Sequence, residues 1–238
     1  MKYVKSFAMI AALAVAVPSH VAAQGGGKPT VAVLPFNNNA IGAAQAELAP
    51  LSKGVQDLLI GELAANEGIR VVERDQIQKI VDELKLSQSD LADKATAVKV
   101  GKLIGAHHMV TGGFVTDRKG TMTLVTRVFA VETGEIEFPN PTFKDSKVTG
   151  KTDDFMELVN QLAGKLNNGL KLPNIPARVG EARKEAAKKV PYEAIALYSK
   201  GLAAKDAGNK AEAVTLFRKS LDKFPSFDKA EAELKKLQ

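Results

Sequence analysis

The stretch that decides the fold runs from His108 to Val131. It reads His108-Met-Val-Thr-Gly-Gly-Phe-Val-Thr116, then Asp117-Arg-Lys-Gly120, then Thr121-Met-Thr-Leu-Val-Thr-Arg-Val-Phe-Ala-Val131. Two β-rich runs flank a polar turn, the signature of a hairpin. In the second run Met122, Leu124 and Val128 alternate with Val125 and Phe129, so both sides of the strand carry apolar groups. One face is expected to take helices and the other to make a second contact. Glu132-Thr-Gly134 signals another turn, after which Ile136 and Phe138 begin a return strand. Three strands joined by tight turns form a meander.

Upstream the period changes. Thr30-Val-Ala-Val-Leu-Pro-Phe36 is a short apolar run suited to a central strand and ended by Pro35. Asn37 to Asn39 predict a turn or loop. Leu51, Val55, Leu58, Leu59 and Leu63 then recur at helical spacing, with Pro50 in the first turn. Gly54 and Gly61 lie on nearly the same side of that helix and predict close packing against a sheet. Gly68-Ile-Arg-Val-Val-Glu73 reads as a second strand. Asp75 and Gln78 predict a capped helix with Ile77, Ile80, Val81 and Leu84 as its buried stripe. Ala95 to Ile104 predicts a further helix stopped by Gly105. Downstream of the meander, Phe155, Leu158, Val159, Leu162 and Leu166 mark a long helix, with Asp154 and Glu157 as its cap pair. The order implies an α/β domain over residues 30–172, a mixed β-sheet covered by helices. Pro173 and Pro176 bracket a linker over 173–177, and 178–238 is expected to be all helical.

The amino terminus predicts export. Lys2 and Lys5 precede an apolar stretch from Phe7 to Val17, and Val21 and Ala23 place small residues before a cut preceding Gln24. That apolar stretch is shorter than the roughly 20 residues needed to span a bilayer. Residues 1–23 thus read as a signal peptide and 24–29 as a flexible leader. The chain has no cysteine, which excludes disulfides, a thiolate nucleophile and an acceptor for an amino-terminal lipid. The formal charge is +6, from 33 basic and 27 acidic residues; without Lys2 and Lys5 it falls to about +4. No basic stripe is interleaved with aromatics, so nucleic acid is not expected as a partner.

Little catalytic chemistry is legible. Gly150-Lys151-Thr152 has Asp145 where a phosphate-binding loop needs its first glycine, so Thr152 or Asp154 is expected simply to start a helix. His107 and His108 are adjacent, and neighbouring strand residues face opposite ways, which makes them poor co-ligands of one metal ion. The carboxylates fall beside lysines at helix-surface spacing, as in Glu181/Glu185 with Lys184/Lys188. The sequence therefore predicts no enzyme, no catalytic residue, no metal and no cofactor.

Several segments then fall into a recognisable order. They are Val31-Ala-Val-Leu-Pro-Phe36, Leu51-Ser-Lys-Gly54, Arg70-Val-Val-Glu-Arg-Asp-Gln76, Leu86-Ser-Gln88, Ala97-Val-Lys-Val-Gly101, Leu103-Ile-Gly-Ala106, Val110-Thr-Gly112 and Val131-Glu-Thr-Gly-Glu135. Together they resemble the curli-production assembly/transport component family, called CsgG-like, over residues 30–172. The resemblance implies a periplasmic α/β domain. In the best-known members it forms a ring and contributes two β-hairpins per subunit to an outer-membrane barrel. This chain departs from that pattern in lacking the lipid-accepting cysteine. Glu135–Thr149 is also interrupted by Pro139 and Pro141 and carries several charges, whereas a spanning strand needs about 9–11 residues with an outward apolar band.

Leu197, Gly201, Ala204, Gly208, Ala213, Phe217, Ser220 and Pro225 resemble one tetratricopeptide helix pair, a class with a period of about 34 residues. Flanking helices are expected at Val179 to Lys189 and Phe227 to Leu237. A single unit cannot bury its own face, so it either packs on a neighbour or offers a groove for peptide. The expected function is a non-catalytic scaffold or assembly protein of the bacterial periplasm, associated with the outer membrane at most peripherally or through a partner. Its partners are envelope proteins, including further copies of itself. The alternative is a subunit of an oligomeric outer-membrane secretion channel. The expected contact residues are Val125 and Phe129 on the two-faced strand, and Tyr198, Leu202 and Phe217 around the helical groove.

Overall fold

The computed structural model describes residues 27–87, 89–117, 119–142, 144, 146–187 and 189–238. The expected signal peptide and the first three leader residues lie outside them. The sheet begins with β1 (Thr30–Val33), in which every residue is buried. Such a strand has no polar side to give to water and belongs at the centre of a parallel sheet. It lies between β3 (Arg70–Val71) and β4 (His108–Thr116), parallel to both. Short β2 (Asn37–Asn38) also pairs with β4, at Gly113 and Phe114. The asparagines expected to form a loop are therefore partly strand.

The helices that make the parallel crossovers follow in chain order. They are α1 (Ala43–Leu48), α2 (Leu51–Ala64), α3 (Arg74–Glu83) and α4 (Lys94–Leu103). Asp93 caps α4 by accepting from the Thr96 N–H, and Gly105, at φ +65°, ends it in the left-handed conformation that glycine adopts without strain. Asp75 does not cap α3: Glu73 holds the cap position without a side-chain bond, and Asp75 lies in the first turn.

Antiparallel pairing starts at β4. β5 (Thr121–Ala130) pairs with it in unbroken register from Thr116/Met122 to His108/Ala130. The other side of β5 is shared by two short strands. β6 (Ile136–Phe138) pairs at the Val128–Phe129 end, and β7 (Lys147–Lys151) pairs with Thr121–Val125. β7 was not legible as a strand; its residues are mostly polar. It runs through a single 3-10 turn (Thr152–Asp154) into α5 (Phe155–Gly169). Neither Thr152 nor Asp154 caps α5 with its side chain; Thr152 Oγ1 instead donates to the Gly120 carbonyl.

Alternation assigns the two faces of β5. Met122, Leu124, Thr126 and Val128 are wholly buried on one face. There Gly150, paired with Met122, lets Leu158 of α5 approach the sheet closely. On the other face Gly101 of α4 meets Met109 and Val131, so α4 covers only the end of the sheet near His108 and Ala130. A mixed sheet with surrounding helices is thus present, and an all-helical region follows it: α6 (Ala177–Ala187), α7 (Tyr192–Asp206), α8 (Lys210–Lys223) and α9 (Asp228–Leu237).

These last helices do not stand apart. Their apolar residues Ala194, Ile195, Tyr198, Leu202, Phe217 and Ala230 belong to the same buried cluster as β1, α2 and α5. The seam runs along α2. A Cβ at Gly54 would overlap Ser199 of α7, and one at Gly61 would meet Lys229 of α9. The two glycines therefore admit helices, not the sheet as their spacing suggested. Gly54→Ala is expected to lower stability by about 1–3 kcal/mol in urea denaturation, the usual cost of overpacking. Ser199→Gly in the same chain should recover part of the loss, because it removes the atoms that clash.

Candidate protein-interaction surface

The helical candidate residues are closed off. Tyr198, Leu202 and Phe217 are each 0% exposed. The Tyr198 ring lies 5.6 Å from Phe217 and 5.1 Å from Phe227, and a Cβ at Gly201 would strike the Phe217 ring. Nothing resembling an open groove runs between them. They meet because α7, α8 and α9 fold over α2, and their polar atoms are spent on that contact. The Tyr198 hydroxyl donates to Asp57 Oδ2 at 2.7 Å. Burial, reinforced by the negative charge of Asp57, raises the phenol well above its ordinary range, so it stays a donor.

Charges complete the seam. Asp57 is buried and also takes the Lys229 ammonium at 2.8 Å. Glu62, equally buried on α2, is held by Arg183 of α6 at 2.9 Å and by the Asn160 amide at 2.7 Å. Arg74, at 2% exposure the largest fully buried side chain, forks onto Asp206 of α7 at 2.9 and 3.1 Å. Lys53 pairs with the same carboxylate, and Asp75 and Glu233 share Lys205. Sequence reasoning passed over Arg74 and Asp206. Nothing local marks them, because the pair forms across 132 residues of chain.

Removing one member of a buried pair leaves the other uncompensated, typically at about 3–5 kcal/mol. Arg74→Met should therefore destabilise the protein by about that much in denaturant titration, and pairing it with Asp206→Leu should return most of the loss. The Asp75 carboxyl is pushed up by burial, but its bond from Lys205 and the Arg74 charge outweigh this and hold it below its ordinary value of 3.8. The unfolded chain thus binds the proton more readily. This contribution is complete above pH 3.8 and fades as the pH falls through the lowered value. An acid titration followed by near-ultraviolet tyrosine dichroism should show the loss below that point, and Asp75→Asn should flatten it.

The sheet residues are placed differently from each other. Phe129 is 3% exposed, on the part of the face covered by α4. Val125 is 40% exposed, and Val115 42%. Paired strand residues share a face, so three registers lie side by side beyond α4: Val115, Thr123 and Thr149; Gly113, Val125 and Lys147; Thr111 and Arg127, of which Thr111 and Gly113 are buried. Thr123 and Thr149 join through their hydroxyls at 2.9 Å. Val125 and Phe129 thus belong to one face but not to one exposed surface. The uncovered patch is flat and mixed, with two valines, several threonines, the cations Arg127, Lys147 and Lys151, and no carboxylate on these strands.

The remaining polar candidates have structural partners. His107 Nδ1 accepts from the Thr30 N–H at 3.0 Å, and His108 Nδ1 donates to Glu137 at 2.6 Å. Among the described residues no group of three or more His, Cys, Asp or Glu is arranged to hold a metal ion. None of their helices is long and apolar enough to cross a membrane.

A family model described as "Curli production assembly/transport component CsgG" matches residues 15–116, so a CsgG-like stretch covers part of the chain, ending at the last residue of β4. No curated protein matches the sequence. Among solved structures, the LpoB C-terminal domain from Salmonella enterica is 20% identical over 52% of this chain and 81% of that one, with a TM-score of 0.34. LpoB from Escherichia coli, solved by NMR, is 23% identical over 53% and 57%, with a TM-score of 0.33. Lipoprotein GNA1162 from Neisseria meningitidis is 13% identical over 51% and 79%, with a TM-score of 0.35. Likeness at this level carries neither function nor partner from those proteins to this chain.

Proposed function

We propose that the protein is a non-catalytic periplasmic scaffold of the cell envelope that docks a protein partner on the uncovered half of its sheet, around Val115, Thr123 and Val125. The observation that carries this is the uneven coverage of one face. α4 shields Met109, Phe129 and Val131, while the same strands continue outward with two large apolar side chains in water. Burying a valine contributes about 1.5–3 kcal/mol, so a partner that covers both gains from what the fold leaves exposed. The CsgG-like match and the export-type amino terminus support the location and the assembly role. The helical tail serves as a packing appendage in this reading, because its inner surface is filled by α2.

A secretion-channel subunit is the less supported alternative. β5 places Met122, Leu124 and Val128 against the protein's own helices, and on the other face Thr123 and Arg127 interrupt the apolar side chains where a spanning strand needs a continuous apolar band.

Photo-cross-linking in living cells tests the docking reading. With p-benzoylphenylalanine at Thr123 or Val125, a discrete adduct with an envelope protein is expected; at Lys235, 71% exposed on α9, none. Equal labelling from all three positions, or none from the sheet, contradicts it. Release of the protein from cells by osmotic shock without detergent is also expected, and a requirement for detergent would favour the channel.

A further inference from the structure

Strand β7 borders the uncovered face, and the phase of its hydrogen bonds fixes which backbone groups it offers. Two bonds flank its pairing with β5. The Thr126 N–H donates to the Ser146 carbonyl at 3.0 Å, and the Thr152 N–H donates to the Gly120 carbonyl at 2.8 Å. Bond direction alternates along an antiparallel ladder, so Val148 and Gly150 also point at β5, whereas Lys147, Thr149 and Lys151 point away. One contact agrees with this phase: the Lys147 carbonyl accepts from Lys165 Nζ of α5 at 2.7 Å. Lys151 is the N-cap of the 3-10 turn that follows, and its carbonyl belongs to that turn. Among the described residues no strand lies beyond β7, and no protein group bonds the Thr149 N–H, the Thr149 carbonyl or the Lys151 N–H. Both residues are exposed.

Three open backbone groups on one exposed edge match an extended segment, which joins a sheet by main-chain bonds. The side chains define its character. Val115, Thr123 and Thr149 form one row of β-branched residues, which a β-branched residue opposite Thr149 continues. Lys151 has no carboxylate partner among the described residues, and β7 carries no acidic residue; Asp153 and Asp154 fall in the turn past its end. Lysines on an edge deter unwanted pairing. Two copies paired antiparallel at Thr149 would set Lys151 of each opposite Lys147 of the other, and like charges in that position are destabilising. An acidic strand meets no such repulsion.

We propose that β7 is the docking edge for an extended acidic segment of the partner protein, which joins the sheet as an added antiparallel strand. Antiparallel pairing continues the order of β4, β5 and β7 and is slightly the more stable per residue. One residue of the segment exchanges both main-chain bonds with Thr149 and places a β-branched side chain opposite it. Two positions away an aspartate or glutamate faces Lys151, and its carbonyl accepts from the Lys151 N–H. This assignment rests on the docking reading above and adds how the partner enters, along β7 and beside the open row of Val115 and Thr123.

Amide hydrogen exchange followed by NMR on the full exported chain tests this, with the peptide N-acetyl-Thr-Glu-Thr-Val-Thr-Glu-Thr-amide as probe. In the free protein the Val148 and Gly150 amides should be protected and those of Thr149 and Lys151 should exchange freely. Peptide at millimolar concentration is expected to slow Thr149 and Lys151 about tenfold or more. Methylating the valine nitrogen removes the N–H that meets the Thr149 carbonyl and should weaken binding about tenfold, as loss of one hydrogen bond at an unsatisfied acceptor implies. A peptide with lysine in place of both glutamates should also bind more weakly, and Lys151→Glu should reverse the preference between the two. No slowing at Thr149 and Lys151, equal binding of the methylated peptide, or an unchanged preference in the Lys151→Glu chain would each overturn the assignment. Cross-linked adducts at Thr123 and Val125 without protection at Thr149 would sink the edge contact and leave the docking surface standing; absent adducts would remove the surface itself.

Discussion

Helix α2 has almost no side that reaches water, and it carries two carboxylates, Asp57 and Glu62, inside the protein. A buried charge must be compensated where it stands. β1 and α5 cover the helix on one flank without a cation for Asp57, and Arg74 of α3 reaches that carboxylate only at 4.0 Å. The tail provides Lys229 and the Tyr198 hydroxyl, together with Arg183 for Glu62. Helices α6 to α9 are therefore needed to complete the core, and they bring Asp206 to the buried Arg74 as they close. Together with the close approach of Ser199 to Gly54 and of Lys229 to Gly61, this requirement holds the tail on α2.

It also decides where a partner can bind. A helical hairpin that spends Tyr198, Leu202 and Phe217 on its own protein has no groove left to offer. The sheet is in the opposite situation. Its inner face is sealed by α2 and α5, but the outer face is covered by α4 at one end and by the short 3-10 turn Asp90–Ala92 over part of β4. Val115, Val125 and Arg127 lie beyond the reach of α4 because the strands are longer than the cover above them. The interaction surface is what remains once the internal charges have been satisfied.

Much of this architecture was legible in the sequence. β1 announced itself by an unbroken apolar run, β4 and β5 by alternation around a polar turn, and α5 by a clean apolar stripe. β7 escaped notice because Lys147, Thr149 and Lys151 face water and only Val148 is buried. Gly54 and Gly61 correctly signalled close packing, but spacing within one helix cannot say which element arrives. The same limit applies to Tyr198, Leu202 and Phe217: repeat-like spacing identifies an inner face without saying that α2 occupies it. Phe129 and Val125 share a strand face, and only the placement of α4 separates the covered residue from the open one.

The central claim is that the tail is closed on α2 while half of the sheet is open. Hydroxyl-radical footprinting of the full chain in solution measures both at once. The account predicts oxidation at Val115 and Val125, as at the exposed Ile41 and Leu103, with Tyr198, Phe217 and Phe129 protected. Labelling of Tyr198 and Phe217 in the native protein, with Val115 and Val125 shielded, would contradict it.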